Sequence, residues 1–124
     1  AACLQGVAFT ERLAYEILDR ATGSSDGDVY ATGAAARSDL WLQVRADVTG
    51  RTVIRPAYPD AAFGSAVLAV AGLHGEDLWM VATNMVRVER SFTPSDQHAF
   101  VYGEWYEKFK WLLDQRGYLP EVKT

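Results

Sequence analysis

The residues best placed to do chemistry are Gly33-Ala34-Ala35-Ala36-Arg37-Ser38, directly after the β-prone stretch Asp28 to Thr32. A glycine at a strand end followed by a helix leaves backbone N–H groups unpaired and aimed outward, where a phosphate or a base can sit. Small side chains keep that approach open. The same residues also suit a tight strand-to-helix turn with alanines packed beneath it, and their spacing alone does not choose between the two. Asp47, further along the same helix, reads either as a metal ligand or base, or as an acid that caps and packs; the second suits a helix end better. Arg37 has the reach for a phosphate, or lies exposed on a helix face. His74 and His98 stand without ligand-spaced partners, so no metal motif is expected.

The elements that must position the turn follow from periodicity. Apolar residues recur at helical spacing through Leu4, Val7, Ala8, Ala14, Ile17, Leu18 and Ala21, and predict a helix over residues 1–21. Thr22 to Gly27 carries a loop signature. Val29 and Tyr30 mark a short strand that Gly33 breaks. Helical spacing resumes over residues 35–48 through Ala36, Leu40, Val44 and Val48, with Leu40 and Trp41 on adjacent flanks, and Thr49-Gly50 stops it. Thr52-Val53-Ile54 is a second strand, closed by Pro56. Residues 61–73 are an alanine-rich helix, and 76–85 a shorter one opened by the dipole-favoured acids Glu76 and Asp77. Thr93 as cap and Pro94 in the first turn open a last helix. It runs to about Arg116, with Tyr102, Tyr106, Phe109 and Leu113 along one face and Gly117 as its stop. Trp105, Tyr106, Phe109 and Trp111 read as packing rather than as a stacking platform, because basic residues do not interleave them densely.

The expected fold class is therefore α/β and helix-rich, with two short parallel strands joined through a helix. Two such strands make a poor sheet, since parallel sheets are normally larger and covered on both faces. Part of the sheet is expected to lie elsewhere.

The bulk numbers fit one ordered domain. The chain has 124 residues, 49% hydrophobic content and four tryptophans. A net charge of −4 and the absence of a basic stripe give no reason to expect nucleic acid. The single cysteine, Cys3, has no internal disulfide partner, which fits a reducing compartment, and is expected as a small buried apolar residue. No basic leader precedes an apolar run, and no segment approaches the roughly 18 uninterrupted apolar residues of a membrane span. A cytoplasmic protein without a membrane partner is expected. Because the chain opens on Ala1 with apolar residues already in helical phase, it reads as a piece of something longer.

Several segments jointly resemble the late part of the C-terminal domain of FGGY carbohydrate kinases, the family of xylulokinases, ribulokinases and glycerol kinases. The family typically shows Gly-Gly-Gly-Ala-Arg-Ser or a near variant, then Leu-Trp-x-Gln, Ala-Asp-Val, Gly, and later Ala-Leu-Gly-Ala-Ala. This chain reads Gly33-Ala34-Ala35-Ala36-Arg37-Ser38, Leu40-Trp41-Leu42-Gln43, Ala46-Asp47-Val48, Gly50 and Ala62-Phe63-Gly64-Ser65-Ala66. Leu4-Gln5-Gly6-Val7-Ala8-Phe9 is similar to the family's Leu-Glu-Gly-Val-Ala-Phe, and Phe92-x-Pro94 with Tyr102 and Tyr106 to its C-terminal helix. The likeness spans nearly the whole chain and is loose over residues 73–90.

The resemblance implies an incomplete ribonuclease-H-like (actin-like ATPase) fold, the late part of a nucleotide-binding domain spanning residues 1–124. It implies ATP and Mg2+ as cofactors and a sugar or polyol hydroxyl as acceptor, with a xylulose- or ribulose-like substrate favoured. Gly33, Ala34, Ala35 and Ser38 occupy the positions that contact adenosine and the nearby phosphate. Ala34 and Ala35 stand where the family has glycines, and Gln5 where it has glutamate. A methyl group at those two positions is tolerated at helical φ/ψ but not at φ > 0. The phosphate loops, metal ligand and base that phosphoryl transfer needs are not found in the sequence. The family draws them from an N-terminal Asp-x-Gly-Thr loop, a second phosphate loop and a catalytic aspartate. The chain alone is therefore expected to be inactive, to partner the missing N-terminal domain of its parent kinase, and to self-associate through unpaired strand edges and an apolar face. Two rival readings stand beside this one: a non-enzymatic kinase-like association module, and another actin-like ATPase without a sugar substrate.

Overall fold

A computed structural model describes residues 2–25 and 27–119. The element order is α1 (Ala2–Thr22), β1 (Val29–Tyr30), a 3-10 helix (Ala34–Arg37), α2 (Asp39–Thr49), β2 (Val53–Pro56), α3 (Ala61–His74), α4 (Leu78–Met85), β3 (Val88–Phe92) and α5 (Asp96–Gln115). The expected parallel pair is present, with Val29 opposite Val53 and Tyr30 opposite Ile54. A third strand, absent from the sequence reading, lies antiparallel on β2, with Val53 opposite Phe92 and Arg55 opposite Arg90. The result is a mixed three-stranded sheet with β2 at its centre. Of β3 only Phe92 is buried, so no alternation of apolar residues betrays it.

Helix α2 is the hub. One of its faces packs Leu42 and Ala46 onto the sheet residues Ala31, Val53 and Phe92, with Ala36 of the 3-10 helix beneath. Another side carries Val48, which joins Ala8 and Phe9 of α1 and Tyr106 of α5. Phe9 sets the angle between these helices, with ring centroids 5.9 Å from Tyr106 and 5.6 Å from Phe109. Leu40 is exposed, contrary to the expected stripe, whereas Leu42 and Ala46 are core. The reason is local. Leu40 stands in the opening turn of α2, whereas Val44 and Val48 of the same stripe pack against α1 and α5 as expected.

Ion pairs line the seam between α1 and α2. Arg45 grips Glu11 through both its Nε, 2.8 Å from Oε2, and its terminal nitrogen. Arg51 reaches Asp19 at 2.6 Å, and Arg12 donates to the Val48 carbonyl at 3.2 Å. Only Ala8 and Phe9 of α1 are fully buried, so Val7, Ile17 and Leu18 from the expected stripe face outward. Cys3 is also exposed, a correction to its expected burial. It lies in the opening turn of α1, away from the face that carries Ala8 and Phe9.

Helices α3 and α4 form a separate hairpin around Val67, Ala71 and Val81. Asp77 caps α4 by accepting the Met80 N–H at 3.1 Å. The chain leaves the sheet at Ala57 and returns at Arg87, where the Ala57 N–H donates to the Arg87 carbonyl at 2.8 Å. Leu73 and Trp79 of this hairpin are 82% and 80% exposed, a large apolar surface for so small a unit. No helix among the described residues is long and apolar enough to cross a membrane.

Candidate functional site

The site begins where β1 ends. Ala31 is fully buried, and its N–H donates to the Ile54 carbonyl at 2.8 Å, which fixes the chain as it leaves the sheet. Gly33 then turns it with φ 84° and ψ −178°. Nothing lies within 4 Å of where a β-carbon would stand, so the backbone angle, not crowding, requires glycine here. The Gly33 N–H donates to the Pro59 carbonyl at 2.6 Å, and its own carbonyl accepts the Ala36 N–H at 3.1 Å. Ala34 to Arg37 follow as the 3-10 helix. Ser38 is extended and caps α2, its Oγ accepting the Trp41 N–H at 3.3 Å.

Gly33, Ala34, Ala35 and Ser38 thus lie on one exposed turn. No described residue other than glycine has positive φ. Ala34 and Ala35 therefore adopt backbone angles at which a methyl group is tolerated. Ala36 is buried beneath them, and, unlike the unpaired outward groups the sequence suggests, the N–H groups of Gly33, Ala36 and Ser38 are taken by the carbonyls of Pro59, Gly33 and Ala35.

The Gly33–Pro59 hydrogen bond joins this turn to the loop between β2 and α3. Both loops leave the carboxyl ends of the parallel strands, the edge at which open α/β sheets bind ligands. A cleft of about 450 Å³ opens there, lined by Arg37, Arg55, Tyr58, Pro59 and Asp60 among others. Its charges are internally paired. Arg37 lies 3.4 Å from both carboxylate oxygens of Asp60, and Arg55 pairs with Asp39 at 2.6 Å and faces Glu89 at 3.3 Å. Arg90 also pairs with Asp39. The Arg37–Asp60 pair is exposed, so opening it costs at most about 1 kcal/mol and frees Arg37 to meet an anion.

Asp47 stands apart from this turn. Its buried carboxylate accepts from Gln43 Nε2 and from the Ser95 N–H, each at 2.8 Å, and lies 2.8 Å from His98 Nδ1. It is the capping and packing acid of the alternatives the sequence leaves open. The cap of α5 is accordingly Ser95, not Thr93, whose carbonyl instead accepts from Gln43 at 2.9 Å. His98 shows no partner along the chain because Asp47 reaches it only through the fold. Among the described residues no group of three His, Cys, Asp or Glu side chains can hold a metal ion.

Tyr58 was not singled out from sequence. It stacks on Phe63 with ring centroids 5.5 Å apart and planes 24° from parallel. The available signal was its position, in the loop after the second parallel strand, matching the loop after the first that carries Gly33.

The model of the FGGY family of carbohydrate kinases, C-terminal domain, matches residues 1–73, more than half of the chain. A glycerol kinase from Dechloromonas aromatica is 30% identical over 111 residues, covering 85% of this chain and 22% of that protein. Among solved structures, a xylulose kinase from Rhodospirillum rubrum aligns with a TM-score of 0.73 and 31% identity, over 90% of this chain and 23% of that one. A xylulose kinase from Brucella ovis aligns with a TM-score of 0.78 and 28% identity, over 94% and 25%. The chain spans about a quarter of the length of these relatives, and shares with them the sugar-kinase version of the actin-like ATPase fold. Its glycine turn, hub helix and mixed sheet are thus part of a known architecture, and the chain belongs to the FGGY family of carbohydrate kinases.

Proposed function

We propose that this domain forms the adenosine-side wall of an ATP-dependent carbohydrate kinase, which phosphorylates a hydroxyl of a sugar or polyol. The observation that carries the reading is Gly33. Its positive φ turns the chain at a strand's carboxyl end and leaves an exposed backbone flanked by Ala34 and Ala35. A flat ring approaches such a surface without meeting long side chains, and Ser38 closes the rim beside it. The residues fit a nucleotide in this respect: small, exposed and at ordinary backbone angles after the glycine.

ATP supplies the transferable γ-phosphoryl group, and Mg2+ its charge balance. The chain's own part is to bind and orient the adenosine side. With no metal-holding group among the described residues, magnesium, the β- and γ-phosphates and the acceptor hydroxyl are handled by the rest of the kinase, the N-terminal domain above all. The xylulose kinases among the structural relatives favour a xylulose- or ribulose-like ketose as substrate. By itself the chain is inactive and self-associates, in the cytoplasm of its cell.

The test is steady-state kinetics on the intact kinase that contains this domain. Gly33→Val is expected to raise KM for ATP and leave KM for the sugar unchanged. An unchanged KM for ATP would overturn the reading. Sugar-dependent ADP release by the purified 124-residue chain would overturn its inactivity.

A further inference from the structure

We infer that Tyr58 is the base-stacking platform of the nucleotide site, holding the purine ring of ATP against its open face. The inference rests on the reading of the Gly33 turn given above, and adds to it the group that recognises the base. Three observations converge on it. First, the ring is presented and not buried: Tyr58 is 62% exposed while Phe63 backs it at 5.5 Å between centroids. An aromatic ring supported by a second ring and open to solvent is the arrangement on which a planar base stacks.

Second, the ring is fixed in place beside the turn. Pro59, the next residue, receives the Gly33 N–H at 2.6 Å, so the backbones carrying Tyr58 and Gly33 cannot drift apart without breaking that bond. The Phe63 N–H donates to the Asp60 carbonyl at 3.0 Å, which closes the loop between the two rings. Pre-organisation of this kind lowers the ordering cost of binding. Third, Tyr58 lines the same cleft as Arg37 and Asp60, at the carboxyl ends of both parallel strands. Gly33, Ala34 and Ala35 do not line that cleft themselves; it adjoins their turn through Arg37 and through the Gly33–Pro59 bond, and Tyr58 is the only aromatic side chain among the residues lining it. Stacking is indifferent to which purine is bound, so the platform supplies affinity for the ring and leaves the choice between adenine and guanine to other groups.

The experiment compares Tyr58→Ala, Tyr58→Phe and Gly33→Val in the intact kinase, by KM for ATP and by calorimetry with ADP alone. Tyr58→Ala is expected to weaken both by roughly 5- to 150-fold, the range for losing one base–aromatic stack. KM for the sugar stays unchanged, and Tyr58→Phe keeps the nucleotide constants because the ring persists. Tyr58 is exposed, so truncating it opens no core cavity, and circular dichroism of each variant checks the fold. If Gly33→Val weakens ATP while Tyr58→Ala does not, the platform is overturned and the turn stands. If Tyr58→Phe loses as much as Tyr58→Ala, the hydroxyl and not the ring is responsible, and stacking is overturned. If none of the three variants changes the nucleotide constants, both readings fall together.

Discussion

Asp47 accepts the backbone N–H of Ser95 at 2.8 Å, so a buried carboxylate on α2 holds the first turn of α5 from 48 residues away. The same carboxylate takes Gln43 and faces His98. Its removal would leave the Ser95 N–H without its acceptor, while Gln43 keeps the Thr93 carbonyl and His98 stays open to solvent. Asp47→Ala is expected to destabilise the fold by about 2–4 kcal/mol, whereas Asp47→Asn, which keeps one acceptor oxygen, costs about 1–2 kcal/mol. Urea denaturation of the three proteins measures the difference, and equal midpoints would mean that the α2–α5 junction does not depend on this carboxylate.

Tyr106 makes the alkaline limit of stability predictable in sign. Its ring is fully buried and its hydroxyl has no hydrogen-bond partner in the structure. Burial first, then the Glu16 carboxylate beside it, as a nearby acceptor for the phenol proton and then through its charge, push the phenol well above its usual pKa of 10.0. The native state therefore keeps a proton that the unfolded chain releases above about pH 10. The contribution is fully present below that pH and is lost as pH rises beyond it. Tyr15, raised by burial and by its hydrogen bond to Glu11, acts in the same direction. Melting temperatures measured from pH 8 to about 11 should fall more gently for Tyr106→Phe than for wild type. At neutral pH that substitution should be neutral or stabilising by up to about 1 kcal/mol, since it deletes an unsatisfied hydroxyl.

Gly33 and its two alanine neighbours should respond unequally to substitution. Gly33→Ala forces a β-carbon into a backbone region that is nearly glycine-only, at a cost of about 1–3 kcal/mol with no steric clash to add. Ala34→Gly and Ala35→Gly, which restore the family's glycines, should cost no more than about 1 kcal/mol each through backbone entropy. Thermal denaturation separates the two cases. A Gly33→Ala variant as stable as wild type would show that the turn relaxes freely.

The α3–α4 hairpin packs chiefly on itself, around Val67, Ala71 and Val81. Native-state hydrogen exchange is expected to open its amides at a lower free energy than those of α2, which is packed on two sides. Its exposed Leu73 and Trp79 are the surface expected to carry the proposed self-association of the isolated chain. Sedimentation should find dimers or larger species, and Leu73→Asp with Trp79→Asp should shift the distribution toward monomer. A clean monomer at high concentration would remove the self-association from the proposal.

The helices and the parallel pair were legible because their information is local: apolar spacing, Gly50 as a stop, Glu76 and Asp77 as acids at a helix start. Strand β3 was not, because Glu89, Arg90 and Ser91 all face solvent and only Phe92 enters the core. Charged residues of that kind protect an exposed sheet edge, and they erase the alternation that identifies a strand. Of the stripe read through this helix, Ala36, Val44 and Val48 pack as expected; Leu40, in the first turn of α2, is exposed, while Leu42 and Ala46 on another side meet the sheet. Of the site, the glycine turn was visible as a motif. Tyr58 was not, since its stacking on Phe63 depends on how the loop after β2 folds back toward Gly33.

The hydrogen bond between Ala57 and Arg87 makes the intervening chain a closed excursion whose two ends meet at the sheet. Lengthening such a loop costs only a logarithmic increment of chain entropy, about 0.6 kcal/mol for each doubling. The β2–β3 pairing is therefore indifferent to how much polypeptide lies between its strands, provided the exit and return points stay fixed. Pro59 and Tyr58 sit just inside the exit, so the ligand-facing corner is held by the neck of the excursion and not by its body. Insertions and deletions confined to the far end of α3 and α4 can accumulate there while the corner keeps its shape.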